Sequence, residues 1–141
     1  MAAVVLAMGL TTALAHQPPA TIARQIDAQL KRCVQTLRCD VSACATGGGL
    51  KSCYNAVTQV WEQKLARIDE TLSLRGGWCA AHWAGLQEAY AGFSEKAMQS
   101  RTWANSPYNT DDDFILLTLQ QRYEMAYAVL NNYECKGKKA P

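Results

Sequence analysis

Apolar residues recur at steps of three and four positions in four separate stretches of the chain. The first stretch runs from about Thr21 to Arg38, and its regularly spaced residues are Ile22, Ile26, Leu30, Cys33 and Leu37. This spacing places them on one face of an α-helix. Thr21 follows a proline-rich segment and is a candidate N-terminal cap. The pattern therefore predicts a first amphipathic helix.

The second stretch runs from about Leu50 to Leu74. Its apolar face consists of Cys53, Val57, Val60, Trp61, Leu65, Ile68 and Leu72. The run Gly47-Gly48-Gly49 precedes it and predicts a turn, because glycine disfavours a helix interior. Gly76 and Gly77 follow Arg75 and predict the end of the helix.

Two further stretches complete the pattern. The third runs from about Trp78 to Thr102 with the apolar positions Cys79, Trp83, Leu86, Tyr90, Phe93 and Ala97. The fourth runs from about Asp112 to Tyr133, with Phe114, Leu117, Tyr123, Tyr127 and Leu130 expected to face inward. Thr110 and the carboxylates of Asp111 to Asp113 suit the start of this helix, because they complement its dipole.

No stretch alternates apolar and polar residues over five positions, so the sequence offers no candidate strand. Four helical stretches joined by short connections bury their apolar faces most simply side by side. The sequence thus predicts an all-α domain, a four-helix antiparallel bundle.

The first fifteen residues differ from the rest. Met1 to Ala15 carry no charged side chain and end in Ala13-Leu14-Ala15, a pattern typical of a signal-peptidase site. The apolar run is shorter than the roughly 20 residues that cross a bilayer. We therefore expect a signal peptide over 1–15 and a single helical domain over 16–141, periplasmic or secreted. No basic residue precedes the apolar run, which a true start upstream or a mis-assigned Met1 would explain. The alternative interpretation of the run is a buried N-terminal helix.

The cysteines favour the same compartment. Six cysteines, an even number, all follow residue 15: Cys33, Cys39, Cys44, Cys53, Cys79 and Cys135. In an exported chain this predicts disulfides. Cys79 begins the third helix and Cys135 follows the fourth, so an antiparallel pair of helices predicts a Cys79–Cys135 bond. The other four would pair among themselves, and helix registry favours Cys33 with Cys53 and Cys39 with Cys44.

Composition excludes several classes of function. Hydrophobic residues make up 49% and charged residues 18% of the 141 residues, and the net charge is +2. The basic residues are scattered, so we expect no nucleic-acid partner. The chain shows no phosphate-binding loop, no Cys-x-x-Cys redox motif and no nucleophile elbow. No catalytic residue, metal or other cofactor is therefore expected.

One enzymatic or metal-handling alternative uses Cys79 and His82, which lie three residues apart on one helix face. A thiol and an imidazole at this spacing suit a cysteine hydrolase or, with Cys135 and a carboxylate, a zinc site. The competing interpretation is that Cys79 is oxidised and that His82 is an ordinary helical residue.

The tryptophans suggest where a partner would bind. Trp61, Trp78 and Trp83 occupy positions typical of a core, whereas Trp103 lies near a loop that also contains Tyr108. Exposed aromatic residues on loops are frequent anchors of binding. We expect Trp103 and Tyr108 to be contact residues; the alternative is a loop that only connects two helices.

Several segments between residues 39 and 130 resemble the small exported family named after the lysozyme inhibitor LprI. Cys39 and Cys53 are similar to the family's opening cysteine pair, Trp61 to Leu65 to its Asp-x-x-Leu-Asn turn, Leu86 to Phe93 to its Ala-Gln-rich helix, Ser106 to Thr110 to its loop, and Thr118 to Arg122 to its Thr-x-x-Arg. The chain departs from the family at Ala66, which replaces an asparagine, and at Phe93, which replaces a tryptophan. The family's Arg-Asp-x-x-Cys is absent. The resemblance implies a Cys39–Cys53 bond, leaving Cys33 for Cys44, and inhibition of a lysozyme.

The leading hypothesis is therefore an exported binding protein that occludes a protein partner, such as a lysozyme-like or other cell-wall-degrading enzyme. The alternative within this class is a periplasmic immunity protein that neutralises a toxin. The alternative from another class is the secreted cysteine hydrolase or metal-handling protein built on Cys79 and His82.

Overall fold

The computed structural model describes residues 16–37, 48–100, 110–132 and 134–136, which contain four α-helices and no strand. The helices are α1 (Pro19–Thr36), α2 (Gly48–Arg75), α3 (Gly77–Ser100) and α4 (Thr110–Leu130). The predicted all-α class is confirmed. The predicted signal peptide over 1–15 lies outside the described residues, as do Cys39, Cys44, Trp103 and Tyr108.

The start of α1 differs from the prediction. Pro18 is the N-cap residue and makes no side-chain capping bond, and the helix begins at Pro19. Proline suits the first turn because its fixed φ is helical and no amide hydrogen is needed there. Thr21 lies inside the helix, where its amide donates to the Pro18 carbonyl at 3.0 Å, so its predicted role as the cap is wrong.

The glycine run before α2 is not all turn, because Gly48 and Gly49 form the first residues of the helix. A Cβ atom on Gly49 would lie 3.0 Å from Cδ2 of Leu37. Glycine thus lets the start of α2 approach the end of α1 closely. The low helix propensity of glycine is outweighed here by this packing.

The other helix boundaries follow the prediction closely. Gly76 and Gly77 have φ angles of 65° and 56°, the left-handed region that glycine adopts without a steric penalty. They form the sharp connection between α2 and α3. Three carboxylates, Asp111 to Asp113, occupy the first turn of α4 as expected.

Helices adjacent in sequence run antiparallel. At one end of the pair α1–α2, Cys33 is bonded to Cys53; at the other, Lys64 Nζ donates to the side-chain oxygen of Gln17 at 3.2 Å. For α3 and α4, the bond between Cys79 and Cys135 marks one end.

The helices α2 and α4 run parallel and form the centre of the bundle. Lys51, near the start of α2, pairs with Asp112, near the start of α4. Further along, the rings of Trp61 and Tyr123 lie 5.6 Å apart. Among the described residues, α1 and α3 each contact both central helices and do not contact each other. The bundle therefore has a rhombic cross-section with α2 and α4 on its short diagonal.

One core connects all four helices. Its buried residues are Ile22, Ile26, Val57, Trp61, Leu65, Ile68, Leu72, Cys79, Trp83, Leu119, Tyr123, Ala126, Val129 and Cys135. Tyr123 is fully buried, and its hydroxyl donates to the Gln17 carbonyl at 2.7 Å. Burial raises the pKa of Tyr123 to about 12, so the hydroxyl stays a donor.

Two predicted inward residues point to solvent. Leu117 is 49% exposed and Phe93 is 65% exposed. The face of α4 that packs inward passes through Leu119 and Tyr123, and a residue two positions from Leu119 lies about 200° around the helix. Phe93 belongs to the half of α3 that follows Trp83, in which the described side chains are at most half-buried.

Candidate binding sites on helix α3

The disulfides fix both ends of the bundle. The predicted Cys79–Cys135 bond is confirmed, and Cys33 is bonded to Cys53, as helix registry favoured. The Cys39–Cys53 bond that the family resemblance implied is wrong, because Cys53 has the other partner. None of the cysteines in the described residues carries a free thiol.

The proposed nucleophile or zinc ligand at Cys79 is not available in this structure, because its sulfur is bonded to Cys135. His82 is exposed and lies flat against Trp78, with ring centroids 4.5 Å apart and planes 13° from parallel. No group of three or more potential metal-ligating side chains occurs within the described ranges.

An exposed apolar corner forms where α2 meets α3. It consists of Leu74, Trp78 and His82; Leu74 is 80% exposed and Trp78 is 49% exposed. Trp78 lies between Gly77, in the sharp connection, and Cys79, in the buried disulfide. The backbone of Trp78 belongs to the first turn of α3, which the Cys79–Cys135 bond fastens, while much of its ring faces solvent.

The sequence pattern predicted Trp78 in the core, and it did not predict this exposed corner. Consecutive residues of a helix lie about 100° apart, so Trp78 and Cys79 cannot both point to the same neighbour. Because Cys79 is committed to a buried disulfide, the ring of Trp78 turns outward. The predicted disulfide at Cys79 already implied that the side chain of the adjacent Trp78 points outward.

A second site lies on the other side of α3, in a groove between α2, α3 and α4. Two neighbouring cavities of about 260 and 400 Å³ share Gln87 and Arg122 in their walls. Glu62, Asp69 and Trp83 also line the first cavity. We call the two cavities together the arginine groove.

A series of hydrogen bonds connects the polar side chains that line the arginine groove. The indole nitrogen of Trp83 and the amide nitrogen of Gln87 both donate to Oδ1 of Asp69, at 2.7 and 3.0 Å. The amide oxygen of Gln87 then accepts from Nη2 of Arg122 at 3.3 Å. Asp69 therefore fixes which end of the Gln87 amide faces the guanidinium.

Arg122 makes no ion pair with any carboxylate of the described residues. Its side chain is half-buried, yet its hydrogen bond within the described part of the chain is a single weak one, to the neutral amide of Gln87. Guanidinium groups at such positions usually meet a carboxylate in a two-pronged contact. Arg122 thus keeps unused donors at the junction of the two cavities.

Tyr90 lines the second cavity. Its hydroxyl donates to Oε1 of Gln121 at 2.5 Å, joining α3 to α4. Burial raises the pKa of the Tyr90 hydroxyl, while the positive charge of Arg122 acts in the opposite direction. The tyrosine is therefore a neutral hydrogen-bonding group beside the arginine.

The predicted contact residues Trp103 and Tyr108 lie outside the described residues, so their role stays a prediction. Within the described ranges no helix combines the length and the apolar character that crossing a bilayer requires.

Searches against protein-family models, curated proteins and solved structures found no match.

Proposed function

We propose that this chain is an exported binding protein that occludes a protein partner, and that the partner is a cell-wall-degrading enzyme of the lysozyme type. The observation that carries the proposal is the apolar corner: an exposed tryptophan in the first turn of α3, directly before a disulfide-bonded cysteine.

The energetics of binding favour such an arrangement. Tryptophan is among the residues that most often dominate the affinity of a protein interface. A partner that binds Trp78 and Leu74 removes apolar surface from water, and little backbone ordering is needed at Trp78 because it lies in a helical turn fastened by the Cys79–Cys135 bond. The corner is thus suited to blocking an enzyme cleft by contact alone.

Export is part of the proposal. Two disulfides within the described residues join the helices, and such bonds persist in oxidising compartments. The sequence of residues 1–15 supports a signal peptide, with the mature chain beginning at His16. N-terminal sequencing of the exported protein should begin at His16; a sequence beginning at Met1 would contradict this part.

The central test is an inhibition assay. Purified chain is added in excess to a lysozyme-type muramidase acting on a suspension of cell walls, and the loss of turbidity is followed. We expect lysis to slow in proportion to complex formation. If lysis is not slowed and a direct pull-down from a mixture of wall hydrolases recovers no complex, the proposal fails.

The chain offers a matched control for the contact surface. Trp78→Ala should weaken binding by about 2 kcal/mol, the scale of an interface anchor. Leu117→Ala removes an equally exposed apolar side chain near the opposite end of the bundle and should leave binding unchanged. Equal effects of the two substitutions would argue against the corner.

The stretch between α3 and α4 is a second proposed contact region. Trp103→Ala should weaken binding by on the order of 2 kcal/mol if the partner uses the predicted residues Trp103 and Tyr108. Comparing Trp103→Ala with Trp78→Ala in the same assay assigns the contact to one region or to both.

A further inference from the structure

We propose that the arginine groove binds a small zwitterion, an amino acid or short peptide, with its carboxylate on Arg122. This site is separate from the apolar corner, and the inference does not depend on the proposed inhibition of an enzyme.

Arg122 lacks an acidic partner within the described residues. Guanidinium and carboxylate groups match in charge and in the spacing of their hydrogen-bonding atoms. Arg122 is half-buried without an acidic partner among the described residues. A carboxylate from a ligand would supply the hydrogen-bond acceptors that the described residues do not provide for the Arg122 guanidinium.

The guanidinium of Arg122 is positioned rather than free. Asp69 accepts two hydrogen bonds and so orients the Gln87 amide, whose oxygen accepts from Arg122. Since the described residues use one of the five guanidinium N–H donors, the others remain for a ligand. Preorganised donors bind an anion better than mobile ones, because less ordering is required.

Carboxylates in the walls surround Arg122 with negative charge. Glu62 and Asp69 line the first cavity and Glu88 lines the second, and none of the three forms an ion pair with the described residues. A multiply charged anion such as phosphate would be repelled by these carboxylates. A ligand with an ammonium group beside its carboxylate is attracted by both signs of charge.

The size of the groove agrees with this class of ligand. Cavities of about 260 and 400 Å³ lie near the lower limit of small-molecule sites, roughly 300 Å³. Trp83 forms part of the wall but is only 2% exposed, so its ring has little surface on which a sugar could stack. A compact ligand held by charge fits better than an extended carbohydrate.

The test uses the dipeptide alanyl-alanine and two capped forms of it. The Trp83 indole N–H is the reporter, because it donates directly to Asp69 in the groove. In a nuclear magnetic resonance titration of the whole chain, alanyl-alanine should shift this resonance to saturation at millimolar concentrations. The C-terminal amide, which lacks the carboxylate, should produce no saturable shift, and the N-acetyl form should bind more weakly.

Substitutions separate recognition from folding. Arg122→Gln should weaken binding of the dipeptide about tenfold or more, while the Trp83 resonance of the free protein stays dispersed. Arg122→Lys keeps the charge and should restore part of the affinity. Arg24→Gln, an exposed arginine on α1, is the matched control and should bind as the parent does.

Three results would overturn the inference. One is the absence of a saturable shift with alanyl-alanine in the parent chain. Another is equal affinity of the parent for the dipeptide and its amide or N-acetyl form, because charge recognition would then be missing. The third is unchanged affinity in Arg122→Gln.

Discussion

Single side chains decide which way the polar groups of the arginine groove point. Oδ1 of Asp69 accepts from the Trp83 indole and from the Gln87 amide. Both donors come from α3 and the acceptor from α2, so this one carboxylate joins two helices and also positions Arg122 on α4. A partly buried polar network of this kind favours one arrangement when its members are satisfied.

Leu119 and Leu117 provide the sharpest residue-scale prediction. Leu119 is 7% exposed in the core, and Leu117 is 49% exposed. Leu119→Ala should lower the free energy of unfolding by about 2–5 kcal/mol because it leaves a cavity, and Leu117→Ala should change it by less than about 0.5 kcal/mol. Urea unfolding of both variants measures this difference, and equal midpoints would contradict the observed orientation of α4.

His16 predicts a pH dependence. Its Nε2 lies 2.8 Å from the Thr71 hydroxyl, and burial, Lys64 and Arg67 lower the pKa of the imidazole below its ordinary 6.5. The folded state therefore takes up the proton less readily than the unfolded state. The contribution of His16 to stability is present above the unfolded pKa and is lost as the pH falls through the folded pKa.

The corresponding measurement compares urea unfolding at about pH 7.5 and about pH 5. We expect the parent chain to lose more stability over this interval than His16→Gln, which does not titrate. The control is Gln25→Ala, an exposed change on α1 that should keep the pH dependence of the parent. The same loss in His16→Gln as in the parent would contradict the assignment.

At the scale of elements, α3 has two unlike halves. Its first turns carry the buried residues Cys79 and Trp83. The half that follows is held mainly by polar contacts, such as Tyr90 to Gln121. The Cys79–Cys135 bond therefore fastens the helix at the end where the apolar packing is also strongest.

The two described disulfides should differ in their effect on stability. The sequence separation is 56 residues for Cys79–Cys135 and 20 for Cys33–Cys53. In the chain-entropy model, replacing both cysteines by alanine should cost roughly 4 kcal/mol for the first pair and roughly 3 kcal/mol for the second. Chemical unfolding of the two double variants tests this order, and a larger loss for Cys33–Cys53 would contradict it.

For the whole molecule, the central position of α2 and α4 determines where stability resides. These parallel helices contact every other helix, whereas α1 and α3 do not contact each other within the described residues. The amides of residues in the shared core become accessible to exchange only when much of the bundle unfolds.

Hydrogen exchange should reveal this order. We expect the slowest amides over Val57–Leu72 of α2 and Leu119–Val129 of α4, where buried residues recur. Amides over residues 88–97 of α3 should exchange much faster, because no described side chain there is buried. Equal protection of these segments would show that α3 is more tightly integrated than its packing indicates.

The four helices of the described residues, their approximate ends and the pairing of Cys79 follow from local sequence patterns alone. Periodicity, glycine and acidic first turns are local signals, and they suffice where one face of a helix is apolar throughout. In α2, six of the seven predicted inward residues are buried and Val60 is partly buried, because this central helix has neighbours on several sides.

Helix packing determines which apolar residues remain exposed and which polar residues come into contact. Trp78, Phe93 and Leu117 are as apolar as the core residues beside them, and the direction of each follows from the positions of neighbouring helices. Asp69, Gln87 and Arg122 lie on three helices, so no spacing in the chain connects them. Their contacts depend on how α2, α3 and α4 pack together, which is a long-range property that local patterns do not encode.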